Sequence, residues 1–477
     1  MFLINSQTKK VIIFIYMANA SNNLKVKGNI SDLIIHDVMI ITMNSEYKVY
    51  VDGAVVIDKD RILAIGNTAE ILDKYDAREI IDGSGKLIMP GLINTHTHVP
   101  MTIFRGYADD MHLHEWLYDY IFPVESEFVN AENVTLGTKL AMAEMLRSGT
   151  TTFNDMYYHI EDIATVVDQV GMRAVLSESV IDFPAPNSPT PEDGLKTAEQ
   201  LIRKWGNHSR ITISVSAHAP YSCSSELIQS AKALADKYQV PFNIHVAETR
   251  KEFEQTMKDF NLTPVGYLNQ LGVLGPNVIA AHAVHITPED IQILIQRSVS
   301  VAHNPECNMK LASGVAPIPE LLKAGVKVGL GTDGVASNND LDLFDEMNTA
   351  AILHKLNSKD PTVLDAQTVV EMATMGGARV LGMESEIGSL EAGKKADMIL
   401  MDMMQPHAHP IYNIYSLLVY SMKGADVESV IIDGKFVMRD RKILNLDEKS
   451  LYSKIESVAV KIREKNNLLT LKKPLKD

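Results

Sequence analysis

Residues 90–100 read "PGLINTHTHVP", an apolar run that ends on two histidines one residue apart. In a β-strand, positions i and i+2 face the same side, so His96 and His98 aim at one point, and one point suggests one metal ion. Two neutral imidazoles are an incomplete site, because a catalytic zinc takes about three protein ligands and keeps a position for water. Further donors stand in similar settings: His245 in "FNIHVAE", His282 in "AAHAVH" and Asp333 in "GLGTDG". Four histidines with one aspartate suit zinc, or iron(II), better than magnesium or calcium. Glu248 follows His245 by three residues, close enough to such a centre to handle protons. A divalent metal lowers the pKa of water toward neutrality, and a glutamate that passes a proton on to a ring nitrogen suits hydrolytic loss of an amine from an aromatic amidine.

These donors need a frame that brings them together. From about residue 87 to 380, short Val/Ile-rich runs alternate with longer segments of helical period, the pattern of repeated βα units around a parallel sheet. Eight strand ends are expected: 92–98, 150–156, 173–179, 211–220, 242–248, 278–285, 299–305 and 328–334. Eight units predict a (β/α)8 TIM barrel, whose catalytic residues sit at the C-terminal strand ends, where the histidines and acids fall. The flanking segments 31–88 and 391–445 alternate like antiparallel strands, and together they are expected to close into one small β-sandwich; "DGK" at 433–435 looks like a hairpin turn. The expected organisation begins with an N-terminal extension over 1–30 without fixed structure. The N-terminal segment of the sandwich follows over 31–88, then a metal-dependent barrel over 89–390, the C-terminal segment of the sandwich over 391–445, and a helix and tail over 446–477.

Bulk properties remove whole classes of function. With 477 residues and 46% hydrophobic content, the chain can bury a large core. Lysine plus arginine number 45 against 60 aspartate plus glutamate, a net charge of -15, which disfavours nucleic acid and favours a small-molecule substrate. The two cysteines, Cys223 and Cys307, are far apart, so neither a disulfide framework nor a thiolate metal site is indicated and the cytoplasm fits best. "VIIFIYM" at 11–17 loosely imitates a signal peptide, but seven residues cannot span a bilayer; it reads as part of an extension upstream of Met17, and no membrane segment is expected.

The ordered motifs resemble the amidohydrolase superfamily through "PGLINTHTH", the histidines of strands five and six, and "GTDG". More closely they resemble the 5′-methylthioadenosine/S-adenosylhomocysteine deaminases, a family that includes 5′-deoxyadenosine deaminase-like members. That resemblance rests on "SAHAPYSCS", "HVAET", "AHAVHITPED", "VAHNPECNMKLASGVAPIP" and "GLGTDGVASNNDLDLFDEM", and runs from about residue 31 to 445. It implies that His96, His98, His245 and Asp333 bind one divalent ion, most simply Zn2+ with Fe2+ as the other choice. It further implies that Glu248 shuttles a proton to the purine N1, that His282 polarises the attacking water, and that Asp333 doubles as its base. Trp116 and Glu125 match positions that contact the nucleoside, Glu125 at the ribose hydroxyls, and His218 matches a substrate-contacting histidine. The chain is expected to form a homo-oligomer.

Departures from the family pattern bear on substrate choice. Members that favour S-adenosylhomocysteine hold its carboxylate with arginines after strand three, whereas here Glu178 and the Asp193–Gly194 region occupy the aligned positions and no arginine follows until Arg203. If Glu178 faced the 5′ end it would repel that carboxylate, so 5′-methylthioadenosine or 5′-deoxyadenosine is expected to exceed S-adenosylhomocysteine by about tenfold in kcat/KM. Cys307 stands where serine is common. Two other readings are weighed. An amidohydrolase for guanine, 8-oxoguanine or an s-triazine is opposed by Trp116 and Glu125, and a non-catalytic scaffold is opposed by the complete donor set with Glu248. The cysteine-ligated zinc deaminases are excluded by the absence of their PCxxC signature.

Overall fold

The computed structural model describes residues 30–466. Eight parallel strands form its centre: β6 (Leu92–Thr97), β7 (Thr150–Tyr157), β8 (Arg173–Val180), β9 (Ile211–Ala217), β10 (Phe242–Val246), β11 (Val278–His282), β12 (Ser300–His303) and β13 (Val328–Leu330). They lie side by side in chain order, each ladder parallel. Nearly every residue in them is buried, because helices cover the outer face and side chains fill the inner one. Closure between β13 and β6 is local: Asp333 N–H donates to His96 O at 3.0 Å, and Thr95 Oγ1 donates to Leu330 O at 2.8 Å. Side-chain caps fix where the outer helices begin; Thr190, Ser224, Thr249 and Thr287 each accept a backbone N–H of the first turn. All eight expected strand ends are therefore present.

A nine-stranded mixed sheet combines the two ends of the described chain. Its N-terminal strands are β1 (Ser31–Ile41), β2 (Val49–Asp58), β3 (Arg61–Asn67), β4 (Ala77–Asp82) and β5 (Lys86–Pro90). The C-terminal ones are β14 (Met398–Asp402), β15 (Val427–Ile432), β16 (Lys435–Arg439) and β17 (Lys442–Ile443). Strand β1 divides, its first half pairing with β4 and its second with β5, and β5 joins the two chain segments by pairing antiparallel with β14. Ile35, Ile40, Val55, Ile88, Met398, Leu400 and Ile431 form the core of this layer. The "DGK" turn is a two-residue hairpin: Asp433 and Gly434 have φ of 53° and 75°, as a mirror-image turn requires. A Cβ on Gly434 would lie 1.8 Å from Lys59 O, so only glycine fits there.

The sheet is fastened to the barrel by a buried ion pair. Arg173, at the start of β8, donates through Nε to Asp397 at 2.7 Å and reaches Asp433 at 3.3 Å. The C-terminal helix, Glu448–Lys465, is docked by Arg147, whose guanidinium holds both Glu448 oxygens at 2.9 Å. No helix among the described residues is long and apolar enough to cross a membrane. The expectations for residues 1–29, including the apolar run at 11–17, and for the tail after 466 lie outside the described residues.

Candidate active site

The C-terminal strand ends bring the sequence-derived donors to one place. One ligand atom each from His96, His98, His245 and Asp333 lie within 4.8 Å of one another. Asp333 Oδ1 is 3.3 Å from His96 Nε2 and 3.1 Å from His98 Nε2. His98 Nδ1 faces Met156 O at 2.5 Å and His245 Nδ1 faces His218 O at 2.7 Å. A carbonyl only accepts, so in both rings Nδ1 carries the proton and Nε2 keeps its lone pair for the cluster. His96 Nε2 and Asp333 Oδ1 are buried without a hydrogen-bond partner, a cost of about 1–3 kcal/mol each if nothing fills the space between them. Three imidazole nitrogens and one carboxylate oxygen, two of them orphaned, fit a divalent cation of the zinc or iron type.

Electrostatics agree with that fit. Burial pushes His96 down to about 4 and His245 well below the imidazole range. Burial acts the same way on His98, but the Asp333 carboxylate overrides it and lifts His98 to about 9. Burial would raise Asp333, yet the two imidazoles beside it hold it well below the usual carboxylate range. His96 and His245 are thus held neutral and Asp333 ionised, the states a metal needs, and the positive charge that Asp333 favours on His98 marks the place where a cation would sit.

A supporting layer fixes these groups. Asp333 Oδ2 accepts from Ser337 Oγ at 2.8 Å and from Cys307 Sγ at 2.9 Å, so the cysteine steadies the carboxylate from behind. Asp333, His282, Ala247 and Ala283 adopt left-handed backbone conformations, with φ of 59°, 73°, 52° and 48°, a strain tolerated where strand ends turn abruptly toward a site. At Gly331 a Cβ would come within 2.9 Å of His96 N and 3.0 Å of His96 O, so glycine lets the chain after β13 approach β6 and deliver Asp333.

Glu248 and His282 form the next tier. Their Oε2 and Nε2 atoms are 3.9 Å apart, and a carboxylate oxygen of Glu248, a ring nitrogen of His282 and Cys307 Sγ group within 4.8 Å. Asn308 Oδ1 faces His282 Nδ1 at 2.9 Å, which leaves the buried Nε2 without a partner and available to the site. Burial raises the Glu248 carboxyl above its ordinary value.

The cavity above the cluster is lined by His98, Glu248, His282 and Asp333 below, and is roofed by Trp116 and Glu125 from residues 99–128, the segment after β6. Trp116 Nε1 donates to Ala108 O at 3.1 Å, and Tyr157 OH donates to Glu125 Oε1 at 2.6 Å. Burial pushes Glu125 up to about 7. His218 also lines the cavity; burial drives it down to about 3, and its Nδ1 lies 2.7 Å from Ser222 Oγ.

Comparison with known proteins places the fold and site in a lineage. The model of the amidohydrolase family matches residues 87–437. The chain belongs to the amidohydrolase family. Among similar proteins is 5-methylthioadenosine/S-adenosylhomocysteine deaminase 1 of Syntrophus aciditrophicus, 46% identical over 424 residues, which cover 89% of this chain and 95% of the relative. The 5′-deoxyadenosine deaminase of Methanothermobacter thermautotrophicus is 44% identical over 412 residues, 86% of this chain and 95% of the relative. A crystal structure of an adenosine deaminase from Xanthomonas campestris with bound zinc superposes with a TM-score of 0.89 at 36% identity, covering 91% of this chain and 99% of the other.

The strand-three position is arranged as follows in this amidohydrolase. Glu178 does not line the cavity; its neighbour Ser179 does, because alternate residues of β8 face opposite sides. The Glu178 carboxylate accepts from Asn187 Nδ2 at 2.7 Å and from Ile160 N–H at 3.2 Å. Arg203 is remote as well, exposed and bonded to Glu199 and Tyr238. Other residues escape the sequence reading. Both Glu252 oxygens accept 2.8 Å bonds from the N–H groups of Ala247 and Glu248, fixing the turn that presents Glu248. A signal for it exists in the chain: Thr249 and Glu252 have capping-box spacing. Asn308, Ser337 and Tyr157 carry no such pattern, since they act from different loops.

Proposed function

We propose that this amidohydrolase is a cytoplasmic, metal-dependent hydrolytic deaminase that converts adenosine-type nucleosides to their inosine analogues and ammonia. The observation that carries this reading is the placement of the Glu248 carboxyl, buried beside His282 and the His96–His98–His245–Asp333 cluster, in a cavity whose roof brings Trp116 and Glu125. The cluster would hold one divalent ion, Zn2+ or Fe2+, which supplies Lewis-acid activation of water. His282 Nε2, free of other bonds, orients that water toward the purine C6. Asp333 accepts its proton, and Glu248 delivers one to N1, so the ring gains a tetrahedral C6 carrying both oxygen and amine. A second proton moved by the same carboxyl groups releases the amine as ammonia and leaves the C6 carbonyl, balancing water plus adenine nucleoside against the hypoxanthine nucleoside plus ammonia.

Glu125 and Trp116 favour a ribose over a bare ring, since a carboxylate on the roof can accept from both sugar hydroxyls. Two free, buried thiols support a reducing compartment. The deciding experiment measures ammonia release from adenosine, 5′-deoxyadenosine, 5′-methylthioadenosine, S-adenosylhomocysteine and guanine, with metal content determined on the same preparation. Turnover of the nucleosides with about one equivalent of zinc or iron is expected. Turnover of guanine alone would transfer the protein to the other-ring reading.

A further inference from the structure

The stretch "SAHAPYSCS" places His218 and Ser222 four residues apart, just past the end of β9. The chain turns back between them, Ser222 N–H donating to Ala219 O at 3.1 Å, and this brings Ser222 Oγ to 2.7 Å from His218 Nδ1. The histidine is fixed from other sides as well. Its carbonyl faces His245 Nδ1 at 2.7 Å, and the rings of Tyr221 and Phe122 meet the imidazole edge to face, with centroids 5.8 and 6.2 Å away. Ser222 is buried, so bulk water does not compete for its hydroxyl. Of the two ring nitrogens, only Nε2 remains for the cavity that His218 lines.

A neutral imidazole carries one N–H, so two arrangements compete. In one, the hydroxyl donates to Nδ1 and the proton sits on Nε2. In the other, Nδ1–H donates to the hydroxyl, the hydroxyl donates to Ala219 O, and Nε2 keeps a lone pair. The distances decide between them. The 2.7 Å contact has the length of a bond given by a hydroxyl and is short for one given by a ring N–H, about 2.9–3.0 Å. The 3.3 Å from Ser222 Oγ to Ala219 O exceeds the hydroxyl range of about 2.5–3.0 Å, and that carbonyl already accepts the Ser222 N–H. We infer that Ser222 is a positioning residue that fixes His218 as an Nε2–H donor aimed into the cavity, where it binds a ring nitrogen of the purine. The inference rests on the deaminase reading and deepens it. Apart from its amine, an adenine edge offers only acceptors; with N1 met by Glu248, N3 or N7 remains for the donor. In the opposite tautomer a lone pair on Nε2 would face a lone pair on the ring, and neither would be satisfied.

The test uses nucleosides that lack N1 and so resist deamination: 1-deazaadenosine, 1,3-dideazaadenosine and 1,7-dideazaadenosine. Their competitive inhibition constants are measured on the metal-loaded wild type and on the Ser222→Ala and Ser222→Thr variants. Ser222→Ala is expected to weaken 1-deazaadenosine by about three- to tenfold, and Ser222→Thr, which keeps a hydroxyl, to restore most of the loss. Whichever dideaza analogue lacks the acceptor should bind Ser222→Ala and wild type within about twofold of each other, while the other follows 1-deazaadenosine. Equal weakening of all three analogues would make Ser222 a merely structural residue and overturn the inference, and so would unweakened binding of 1-deazaadenosine to Ser222→Ala. A wild type that binds none of the three and releases no ammonia from any nucleoside sinks the deaminase reading itself.

Discussion

The floor and the roof of the catalytic cavity are built differently. On the floor, His98 and His245 are clamped by backbone carbonyls at strand ends, inside a continuous parallel ladder. On the roof, Trp116 and Glu125 sit in short helical turns and are held by single bonds to Ala108 O and Tyr157 OH. A ladder fixes direction to within a fraction of an ångström, as metal chemistry demands, whereas a roof hung on separate bonds can be altered without disturbing the floor. Chemistry and selectivity are thus carried by regions of unequal rigidity.

Substitutions can break or sharpen that contrast. The largest effect is expected on the floor: His245→Ala should lose both metal and turnover, because the remaining ligands hold zinc poorly. Full occupancy by elemental analysis would remove His245 from the ligand set. Glu248→Gln should keep its metal while kcat falls by about 10³-fold, since the ligands survive and the proton carrier does not. Equal loss of metal in both variants would erase the distinction between ligand and proton carrier.

On the roof, Glu125→Gln should lower kcat/KM for nucleosides by about 10–100-fold with metal content unchanged. With Glu125 raised to about 7, the carboxylate proposed to hold the diol is ionised above that pH and protonated below it. The wild-type kcat/KM profile should therefore fall on the acid side of about 7, and the variant should lack that limb. An identical acid limb in the variant would assign the titration to another group.

The smallest effect belongs to Glu178, outside the cavity. Burial raises it to about 7, above the 4.5 it starts from, so its contribution to folding is full below 4.5 and disappears as pH rises through 7. Glu178→Gln should raise Tm by about 1–4 °C at pH 8, leave it near wild type at pH 5, and change kcat/KM by less than about twofold. A large change in substrate preference would restore Glu178 to the binding machinery.

The same division explains what can be read from the chain. His96, His98, His245, His282 and Asp333 are legible because each ends or follows a Val/Ile-rich run, and barrel strands deliver such residues to a common rim. Eight runs with helical segments between them make the barrel legible too. The inside-or-outside choice along β8 is not: Ser179 and Glu178 are adjacent, all of β8 is buried, and without a polar face to set the phase, alternation cannot say which of the pair faces inward. Partners such as Asn308 for His282 depend on how loops from different βα units meet, which no local spacing encodes.

The pairing of β5 with β14 has a consequence for synthesis. Strands β1 to β5 leave the ribosome before any barrel strand, yet one edge of their sheet stays open until residues 398–402 emerge, more than 300 residues later. At roughly 5–20 residues per second that is tens of seconds during which the apolar Leu87–Met89 edge is available to other chains. Nascent-chain yield should therefore depend on how fast the barrel segment is translated, and fragments that stop before residue 398 should be rescued by supplying the C-terminal strands as a separate polypeptide.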